Sequence, residues 1–501
     1  MTETEVKAPD ETGQAYRMLI GEEWREAADG RTFVALDPYS GEGWATVPEA
    51  GREDVDAAVE AARVAFREGP WKNMTGFDRA HLMRRFADVI ERDAEELAQI
   101  ETRGNGKLLR ETRAQAGQLP RWLRYFAGIA DKLEGETIPA DRPDLFVYTR
   151  HQPLGVVAII TPWNSPMALL MWKLAPALAA GCTVVVKPSP FTPVSTIALA
   201  ERAAEAGFPP GVFNVITAEA AEVGAALVGH PDVAKVSFTG STAVGAKVGA
   251  AAGANITPVA LELGGKSAQL VFADADLGAV RSGLIAGIFA ATGQTCVAGS
   301  RLLVHESVRD AVLDSLVERT RTIALGDPRD AATEMGPMAN EPQLERVMGM
   351  IDRARAEGAT VAAGGGQPSL GGCFLEPTIL TDVGPGMEIF EEEVFGPVLA
   401  VATFSDEDEA VRMANSSRYG LAAGVWTENI RRGLRVAGEL DAGTVWVNGY
   451  RMVAPYAPFG GFKDSGIGRE SGWRSALEFT QTKTVWVEIG EPSDRDPFTI
   501  G

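Results

Sequence analysis

Apolar, β-branched strands alternate regularly with helical segments between residues 155 and 263. Strands that are apolar along their whole length belong to parallel sheets with helices on both faces. The alternation predicts strands at 155–160, 182–187, 211–216, 234–238 and 258–263, and helices at 166–180, 192–206, 220–228 and 241–252. We therefore predict the α/β fold class, with ligands bound outside the carboxyl ends of the strands.

The segments around this unit differ in character. Residues 1–15 are polar and without period, which predicts disorder. Helical periodicity predicts helices at 54–66, 78–103 and 111–133, and a second α/β unit begins after residue 264. Residues 134–152 have the pattern of a projecting arm, and an apolar strand at 483–488 follows a body that is already complete. Because a strand needs a partner, we predict that arm and tail form a sheet between subunits.

Composition and charge exclude several classes of protein. A chain of 501 residues is too long for one core. The net charge of −21 argues against nucleic acid or an anionic membrane as a partner. The three cysteines form no disulfide framework, and the four histidines show no metal-ligand spacing, so no metal site is expected. The polar N-terminus and the interrupted apolar stretch 166–186 predict a soluble, cytoplasmic protein.

Two residues have the side chains of a covalent catalyst. Glu262 ends an apolar run, and Cys296 lies among small residues in a loop. A thiolate attacks carbonyl carbon, and a carboxylate in apolar surroundings has a raised pKa and serves as a general base. The pair predicts chemistry on a carbonyl group beside a nucleotide cofactor, although each residue alone is also consistent with a buried structural side chain.

Polar residues at three strand ends support a ligand site there. The Phe238–Ser241 turn opens a helix whose N-terminus suits a phosphate, although such turns are often only structural. Asn164 is placed to donate to an oxyanion, or simply to form a turn between two prolines. Lys187 is suited to bind a ribose or a phosphate, or is only solvated. The usual G-x-G-x-x-G dinucleotide pattern is absent at these turns.

Six motifs occur in a fixed order along the chain. They are Pro162-Trp163-Asn164, Phe238-Thr239-Gly240-Ser241, Leu261-Glu262-Leu263-Gly264-Gly265-Lys266, Gly293-Gln294-Thr295-Cys296, Glu393-Val394-Phe395-Gly396-Pro397 and Pro458-Phe459-Gly460-Gly461. In this order they resemble the aldehyde dehydrogenase superfamily, in its NAD(P)-dependent, non-acylating, hydrolytic branch. The likeness runs from about residue 19 to residue 487.

The resemblance implies a role for each matching residue. Cys296 matches the nucleophile, Asn164 and the Cys296 amide match the oxyanion hole, and Glu262 matches the base that activates water for thioester hydrolysis. Glu393 matches the carboxylate that holds the nicotinamide ribose, and Phe395 matches the side chain against the ring. The implied cofactor contacts are Ile160, Thr161, Pro162, Trp163, Lys187, Ser189, Pro190, Gly224, Phe238, Gly240, Ser241, Val244, Leu263, Glu393 and Phe395. The implied substrate tunnel comprises Ser165, Met167, Trp172, Thr295, Arg451 and Phe459.

The resemblance also implies an organisation into domains. Residues 16–133 and 153–264 correspond to a Rossmann-like cofactor-binding domain, and residues 265–462 to an α/β catalytic domain. Residues 134–152 and 480–490 correspond to an oligomerisation arm and tail strand. Members of the family form homodimers or homotetramers through these segments, and their partner is a small aldehyde.

Three positions depart from the family pattern. Pro190 stands where many NAD-preferring relatives carry a glutamate for the adenosine ribose, so NAD and NADP both remain open as cofactors. Ser165 replaces a bulky aromatic residue, which predicts a wider tunnel. Arg451 lies in the segment that lines the tunnel mouth. We hypothesise that it favours a polar or carboxylate-bearing, semialdehyde-like substrate; the alternative is an exposed arginine without a role.

Three other functions remain as alternatives. A coenzyme A-acylating aldehyde dehydrogenase is disfavoured because such enzymes generally lack the glutamate found at Glu262. A cysteine hydrolase without redox chemistry needs a histidine base, and only His305 is near Cys296 in sequence. An inactive binding scaffold is disfavoured by the intact Cys296, Glu262 and Asn164.

Overall fold

A computed structural model of the chain describes residues 13–490 and Phe498. The prediction of disorder over 1–15 therefore falls largely outside the described residues. Its last part is wrong, because Gln14–Ala15 form a short strand that pairs in parallel with residues 45 and 46. The backbone amide of Tyr16 continues this pairing by donating to Thr46.

The first third of the described chain contains small strands followed by helices. In chain order these are β1 (Gln14–Ala15), β2 (Met18–Ile20), β3 (Glu23–Arg25), β4 (Thr32–Leu36), β5 (Gly43–Pro48), α1 (Arg52–Arg67), α2 (Pro70–Asn73), α3 (Gly76–Arg92), α4 (Ala94–Asn105), α5 (Leu109–Ala116) and α6 (Leu119–Ala127).

The arm and the predicted alternation follow. They comprise β6 (Thr137–Ile138), β7 (Leu145–Pro153), β8 (Val156–Ile160), α7 (Pro166–Ala180), β9 (Thr183–Lys187), α8 (Pro193–Ala206), β10 (Phe213–Val215), α9 (Ala221–Val228), β11 (Val233–Thr239), α10 (Thr242–Ala254) and β12 (Val259–Glu262).

The second α/β unit and the tail complete the described chain. They comprise β13 (Ala268–Val271), α11 (Leu277–Ile288), β14 (Arg301–His305), α12 (Arg309–Thr320), α13 (Glu341–Ala356), β15 (Thr360–Ala363), β16 (Thr378–Thr381), α14 (Glu388–Glu391), β17 (Val398–Phe404), α15 (Glu407–Asn415), β18 (Tyr419–Gly420), β19 (Ala422–Trp426), α16 (Ile430–Glu439), β20 (Thr444–Val447), β21 (Phe462–Lys463), β22 (Gly466–Ile467) and β23 (Thr480–Glu488). Short 3-10 helices cover Ala290–Gly293, Glu306–Val308 and Trp473–Phe479.

The predicted alternation forms the centre of an eight-stranded sheet, which confirms the α/β fold class. Its strand order is β22-β12-β11-β8-β9-β10-β2-β3, and the five central strands are parallel. Pairing aligns Ile160 with Phe238 on one side and with Lys187 on the other, and it aligns Thr239 with Glu262. Polar residues that are distant in sequence therefore reach one edge of the sheet.

Helix α7 explains why this sheet is buried on both faces. The helix is apolar all round, and nearly all of its residues are buried in the core that also includes α3, α6 and α8. A helix of this kind belongs inside a protein rather than at its surface. Helices α1, α9 and α10 cover the opposite face of the sheet. Among the described residues, no helix is both long and apolar enough to cross a membrane.

The second unit is built around a seven-stranded sheet. Its order is β15-β16-β17-β14-β13-β19-β20, and every pair except β15 with β16 is parallel. Two hydrophobic clusters cover its faces. The loop that carries Cys296 connects α11 to β14, so the candidate nucleophile lies directly before a strand of this sheet.

The pairing predicted for the tail strand is wrong in one respect. Strand β23 pairs with β7 of the same chain, antiparallel, over the full length from Thr480 opposite Pro153 to Glu488 opposite Leu145. The backbone hydrogen-bonding groups of the arm strand β7 and the tail strand β23 therefore pair with one another within the subunit. The other edge of β23 is the edge of this three-stranded sheet, and Trp486 on it is 64% exposed.

Two predicted long helices are each interrupted. The 78–103 helix breaks at Asp93, whose non-helical backbone ends α3 and begins α4, and whose carboxylate accepts bonds from Arg92 and Arg202. The 111–133 helix breaks around Gly117, and the second part ends at Ala127. Tertiary ion pairing and a proline at the start of α6 override the sequence periodicity at these points.

Candidate active site

A cavity of about 400 Å³ lies at the carboxyl ends of the parallel strands. Turns after β8, β11 and β12 contribute one wall, and the Cys296 loop, helix α13 and the 393–395 loop contribute the other. The residues that line it are Pro162, Trp163, Asn164, Leu169, Thr239, Gly240, Ser241, Ala243, Leu263, Gly264, Cys296, Gln343, Arg346, Glu393 and Phe395. Two of the three predicted catalytic residues and seven of the fifteen predicted cofactor residues therefore line one cavity.

The Cys296 loop has a backbone that fixes its position. Ala291, Thr292 and Gly293 all have positive φ, between 53° and 67°. A Cβ added to Gly293 would lie 2.2 Å from the carbonyl oxygen of Gly396, so only glycine allows the two loops to approach this closely. The glycine therefore holds the Cys296 loop against the loop that carries Glu393 and Phe395.

The Cys296 thiol is protonated in this environment. Burial raises its pKa to about 12, and the charges of Glu393 and Glu262 add to the effect. Because a thiol is a much weaker nucleophile than a thiolate, the group needs a proton acceptor before it attacks carbon. Two carboxyl groups act on the thiol, and both belong to the predicted site.

Asn164 is held beside the Cys296 loop. Its side-chain Nδ2 donates to the backbone carbonyl of Gln294 at 2.9 Å, and its backbone carbonyl accepts from the side chain of Asn105 at 3.3 Å. The amide nitrogen of asparagine carries two hydrogens, so one remains for a substrate oxygen. Oδ1 of Asn164 is buried and has no hydrogen-bond partner among the described residues.

Glu262 is buried behind the cavity rather than in its lining, with 4% of its surface exposed. Burial raises the pKa of its carboxyl well above the usual range, Glu470 raises it further, and Lys173 and Arg469 oppose the shift. Lys173 and Glu470 form a buried ion pair. Oε2 of Glu262 has no hydrogen-bond partner among the described residues, so one oxygen is available for a water molecule.

Glu393 and its neighbours provide a polar surface opposite helix α10. The Gly265 amide donates to its Oε1 at 2.9 Å, and burial raises the pKa of this carboxyl to about 7. A Cβ on Gly264 would lie 2.5 Å from Oε2, so the carboxyl rests directly on the backbone after β12. Phe395 packs edge-on against Trp163, with ring centroids 5.2 Å apart.

The opposite wall has the features of a phosphate site. Ser241 caps α10, accepting from the Val244 amide at 3.4 Å, and the helix N-terminus borders the cavity through Ser241 and Ala243. Free amides and the helix dipole favour an anion there. The buried Oγ1 of Thr239 in this wall has no partner among the described residues. A carboxylate, an aromatic ring and a helix N-terminus around one cavity are groups suited to binding a dinucleotide.

The outer group of predicted cofactor residues lies at the ends of β8 and β9. Lys187 donates to the carbonyl of Ala218 at 2.8 Å, and burial lowers its pKa to about 8. Gly224 faces the Lys187 side chain, Ser189 accepts weakly from the Phe191 amide, and Pro190 is half-buried. Eight of the predicted contacts do not line the cavity itself: Ile160, Thr161, Lys187, Ser189, Pro190, Gly224, Phe238 and Val244.

The predicted tunnel residues are less open than expected. None of the six lines the cavity among the described residues. Met167, Trp172 and Phe459 are buried, and Trp172 packs against Trp122 and Phe459. Ser165 is buried too, whereas Thr295 and Arg451 are partly exposed, and the guanidinium of Arg451 donates to the carbonyl of Ala286 at 2.9 Å.

Sequence analysis missed residues that hold the site from a distance. Gln343 and Arg346 on α13 donate to the carbonyls of residues 393–395 and fix that loop. A lysine inside a buried helix, such as Lys173 in α7, is a signal for a buried partner. That partner, Glu470, lies 297 positions away in the chain.

No group of three or more His, Cys, Asp or Glu residues in the described part of the chain is placed to hold a metal ion. His305, the histidine nearest to Cys296 in sequence, bonds to Ser307 and packs edge-on against Phe404 at the far end of β14.

Comparison with known proteins decides the family. The sequence profile of the aldehyde dehydrogenase family matches residues 24–485. The chain belongs to the aldehyde dehydrogenase family. It is therefore an NAD(P)-dependent aldehyde oxidoreductase.

The relatives of this aldehyde dehydrogenase cover nearly its whole length. A (Z)-2-((N-methylformamido)methylene)-5-hydroxybutyrolactone dehydrogenase of Acinetobacter baylyi is 44% identical over 97% of this chain and 100% of its own. The cytosolic aldehyde dehydrogenase 1 of Rattus norvegicus is 43% identical over 95% of this chain and 96% of its own.

Solved structures agree in fold. The NAD+ complex of an aldehyde dehydrogenase from Bacillus cereus is 46% identical and has a TM-score of 0.94, with 95% of this chain and 97% of that one covered. A betaine aldehyde dehydrogenase of Staphylococcus aureus in complex with NAD+ is 41% identical, also with a TM-score of 0.94, and 96% of each chain is covered.

The environment of the thiol predicts how fast it reacts. The substitution Glu393→Gln removes a carboxylate. Of the two carboxylates that raise the pKa of Cys296, Glu393 has the larger effect. The thiolate fraction at a fixed pH then rises, about tenfold for each unit by which the pKa falls. We expect faster alkylation of Cys296 by iodoacetamide in the enzyme without cofactor, measured by mass spectrometry over a pH series.

The matched control is Glu345→Gln, which neutralises an exposed carboxyl on α13. An unchanged alkylation rate in Glu393→Gln, or an equal rise in the control, would contradict this account of the thiol.

Proposed function

We propose that Cys296 is the nucleophile of aldehyde oxidation in this chain, with Asn164 and Glu262 as its catalytic partners. The observation that supports this most directly is the position of the Cys296 thiol, in one cavity with Asn164, the α10 N-terminus and the Glu393–Phe395 loop. The nucleophilic thiol and the groups suited to binding a dinucleotide thus line the same cavity.

In the first step the Cys296 sulfur attacks the aldehyde carbon, an S–C bond forms, and the carbonyl oxygen becomes an oxyanion. The free Nδ2 hydrogen of Asn164 and the Cys296 amide donate to that oxyanion in the thiohemiacetal. The thiol proton leaves to a carboxylate, and we assign this to Glu262 because Glu393 already accepts from Gly265. When bound, the nicotinamide supplies the hydride acceptor.

The resulting Cys296 thioester is then hydrolysed. Glu262 first releases the thiol proton to solvent; as a carboxylate it then accepts a proton from water at its free Oε2, and the hydroxyl oxygen attacks the thioester carbon. The C–S bond breaks, the carboxylic acid leaves, and the sulfur is released. In the buried Lys173–Glu470 pair, Glu470 raises the pKa of Glu262 and Lys173 lowers it. The pair thus helps to set the pH at which Glu262 is deprotonated and can act as a base.

The alternative reactions have less support. A buried carboxylate with a free oxygen near the thiol favours transfer of the acyl group to water over transfer to coenzyme A. A hydrolase without redox chemistry would use a histidine base, and His305 is engaged elsewhere.

The cofactor preference follows from the adenosine end of the site. Pro190 offers no carboxylate to accept ribose hydroxyls or to repel a 2′-phosphate. Lys187, nearby and with its pKa lowered to about 8, is a cation suited to a phosphate when protonated. We propose that the enzyme accepts NADP as well as NAD.

The substrate is proposed to be a polar aldehyde. Arg451 follows Tyr450, whose hydroxyl donates to the carbonyl of Val297, the residue after Cys296, at 2.9 Å. A relative that acts on a hydroxybutyrolactone, an oxygen-rich compound, supports the same class. The cytosolic rat relative and the acidic surface support a cytoplasmic location.

We further propose the domain division predicted from sequence, with residues 134–152 and 480–490 as the oligomerisation arm and tail. The open edge of β23, with Trp486 and Ile489 exposed, supports a homodimer or homotetramer in which this edge is covered. Large exposed apolar side chains on an unpaired strand are typical of an interface.

Glu262→Gln tests the hydrolytic step. We expect the steady-state rate of NADH formation to fall by about 100-fold or more, the usual contribution of a general base. Hydroxylamine, a nucleophile that needs no base, should restore the second step by releasing the acyl group as a hydroxamate, so that only the slower loss of the thiol proton in the first step still limits the variant. Because burial raises the pKa of Glu262, wild-type turnover should rise with pH through a range above that of ordinary carboxyl groups, and the variant should lose this rise.

Cys296→Ser, expected to be inactive with and without hydroxylamine, is the control for that experiment. Full turnover in Glu262→Gln, or in Cys296→Ser, would refute the assignment.

Pro190→Glu tests the cofactor proposal. The new carboxylate should repel a 2′-phosphate, so the ratio of kcat/KM for NADP to that for NAD should fall by about 10-fold or more, a difference of about 1.4 kcal/mol. Pro190→Gln, which adds similar bulk without charge, should change the ratio less. No NADP turnover in the wild-type enzyme would contradict the proposal.

Trp486→Glu tests the oligomer. A charge on the open edge of β23 should shift the mass measured by light scattering toward the monomer, without loss of the far-UV circular dichroism spectrum. Phe77→Glu places a charge on an exposed aromatic position of α3, outside the arm, and should leave the mass unchanged. An unchanged mass in Trp486→Glu would show that the interface lies elsewhere.

A further inference from the structure

The side-chain amide of Asn164 has one hydrogen bond that fixes which way it faces. Nδ2 donates to the backbone carbonyl of Gln294 at 2.9 Å, whereas Oδ1 is buried without a hydrogen-bond partner among the described residues. If the amide were flipped, Oδ1 would face that carbonyl, and two acceptors repel one another. The Gln294 carbonyl therefore selects the orientation in which Asn164 presents an N–H group.

The same bond directs the second hydrogen of the Asn164 amide. The two hydrogens of a planar NH2 group point in fixed, diverging directions, so holding one of them also aims the other. Asn164 lines the cavity together with Cys296. The free hydrogen is available to an oxygen that gains charge beside the thiol, as long as the Gln294 carbonyl keeps its place.

Neighbouring contacts hold the backbone at Asn164 but not its side chain. Nδ2 of Asn105 donates to the backbone carbonyls of Trp163 at 3.5 Å and of Asn164 at 3.3 Å. These bonds fix the course of the turn and leave the Asn164 amide free to rotate about its Cβ–Cγ bond. Within the part of the chain that the structure describes, the orientation of that amide depends on Gln294.

The Gln294 carbonyl belongs to a loop whose backbone needs support. Ala291 and Thr292 have φ angles of 53° and 54°, a left-handed conformation that is unfavourable for residues other than glycine. The Gln294 amide donates to the Ala291 carbonyl at 3.0 Å, within the loop itself. A loop of this kind keeps its shape only where the surrounding structure holds it.

Two side chains of the loop supply that support, and both bind one neighbouring segment. Oε1 of Gln294 accepts from the Ala339 amide at 2.9 Å, and Oγ1 of Thr292 donates to the Gly336 carbonyl at 3.1 Å. Gln294 is only 3% exposed, so its loss would leave the Ala339 amide buried without that acceptor, which is costly. Of the two side chains, Gln294 is the one whose own backbone carbonyl meets Asn164.

The segment that Gln294 binds is itself anchored. The Met338 amide donates to the Cys373 carbonyl at 2.7 Å, and Asn340 caps α13. Side chains of α13 also hold the loop that carries Glu393. Gln294 thus ties the nucleophile loop to the start of the same helix.

We propose that Gln294 is a positioning residue of the oxyanion hole. Its side-chain bond to Ala339 fixes its backbone carbonyl, and that carbonyl turns the Asn164 amide so that an N–H group faces the substrate oxygen. Gln294 is not among the residues that line the cavity, so it acts through Asn164. This inference rests on the proposed role of Asn164 as an oxyanion donor.

A double-mutant cycle with Asn164→Ala tests the proposal. Gln294→Met keeps the length of the side chain and removes the acceptor for the Ala339 amide. We expect the single-turnover rate of NADH formation, with saturating propanal and NAD+, to fall about 10-fold or more, a part of what one oxyanion donor contributes. In the Asn164→Ala background the same substitution should lower the rate less than about 2-fold, because the donor that it orients is gone.

Alkylation of Cys296 by iodoacetamide separates this role from a structural one. Attack on iodoacetamide displaces iodide and places no charge on an oxygen, so it needs no oxyanion hole. The alkylation rate of Gln294→Met should stay close to that of the wild-type enzyme, and KM for propanal should change little. An alkylation rate that falls by the same factor as NADH formation would show a displaced loop and overturn the proposal.

Gln269→Met is the matched control. Gln269 is a fully buried glutamine in β13 whose Oε1 accepts from the indole of Trp426 at 3.0 Å. Whatever this substitution costs, it should lower NADH formation by the same factor with and without Asn164→Ala. If Gln294→Met does not fold, Gln294→Asn, which is one methylene too short to reach the Ala339 amide, takes its place in the cycle.

The cycle has outcomes that decide against the proposal. An equal fall for Gln294→Met in both backgrounds overturns it, and so does the same dependence on Asn164 for Gln269→Met. Failure of the proposed function would appear differently: unchanged NADH formation in Asn164→Ala alone would remove the oxyanion role of Asn164, whatever the Gln294 variants do.

Discussion

The parallel register of the eight-stranded sheet is the constraint on which the site depends. Backbone hydrogen bonds between β8, β9, β11 and β12 place Ile160, Lys187, Thr239 and Glu262 at one edge. A slip of one residue in any of these strands would turn its terminal side chain to the other face. The helices on both faces oppose such a slip, because the side chains of each face are packed against them and would no longer fit.

Loops from the second α/β unit form the rest of the cavity, opposite the turns of the eight-stranded sheet. Gly293 permits the Cys296 loop to touch the backbone at Gly396, and Gln343 and Arg346 hold residues 393–395 from α13. The thiol and the Glu393 carboxyl are thereby fixed relative to one another although almost 100 residues separate them in the chain. The geometry of the cavity is a property of contacts between the two sheets.

Desolvation is the main cause of the unusual acid–base properties of this site. Burial is the largest cause of the raised pKa of Cys296, Glu262 and Glu393, and of the lowered pKa of Lys187. Burying a charged group is costly, so each group tends toward its neutral form. This brings the pKa of Glu393 and Lys187 closer to neutral pH, whereas it moves the pKa of the Cys296 thiol further from it. The surrounding buried ion pairs then adjust these shifts.

The sequence by itself determined the fold class, the family and the residue types of the site. Strand–helix alternation follows from local periodicity, and the motifs around Asn164, Glu262, Cys296 and Glu393 are continuous in the chain. Local patterns also predicted continuous helices where Asp93 and Gly117 break them. The ion pair of Asp93 with Arg202 is tertiary, whereas the break after Gly117 precedes the proline at the start of α6.

Only the tertiary structure decided which residues act on one another. The buried pair of Lys173 and Glu470, the contact of Gln294 with Ala339, and the pairing of the tail strand within its own subunit join segments far apart in sequence. Their effect on a pKa or a hydrogen bond depends on distance and burial, which vary with packing. A sequence specifies the chemical groups, and the folded chain sets the distances and the dielectric in which they operate.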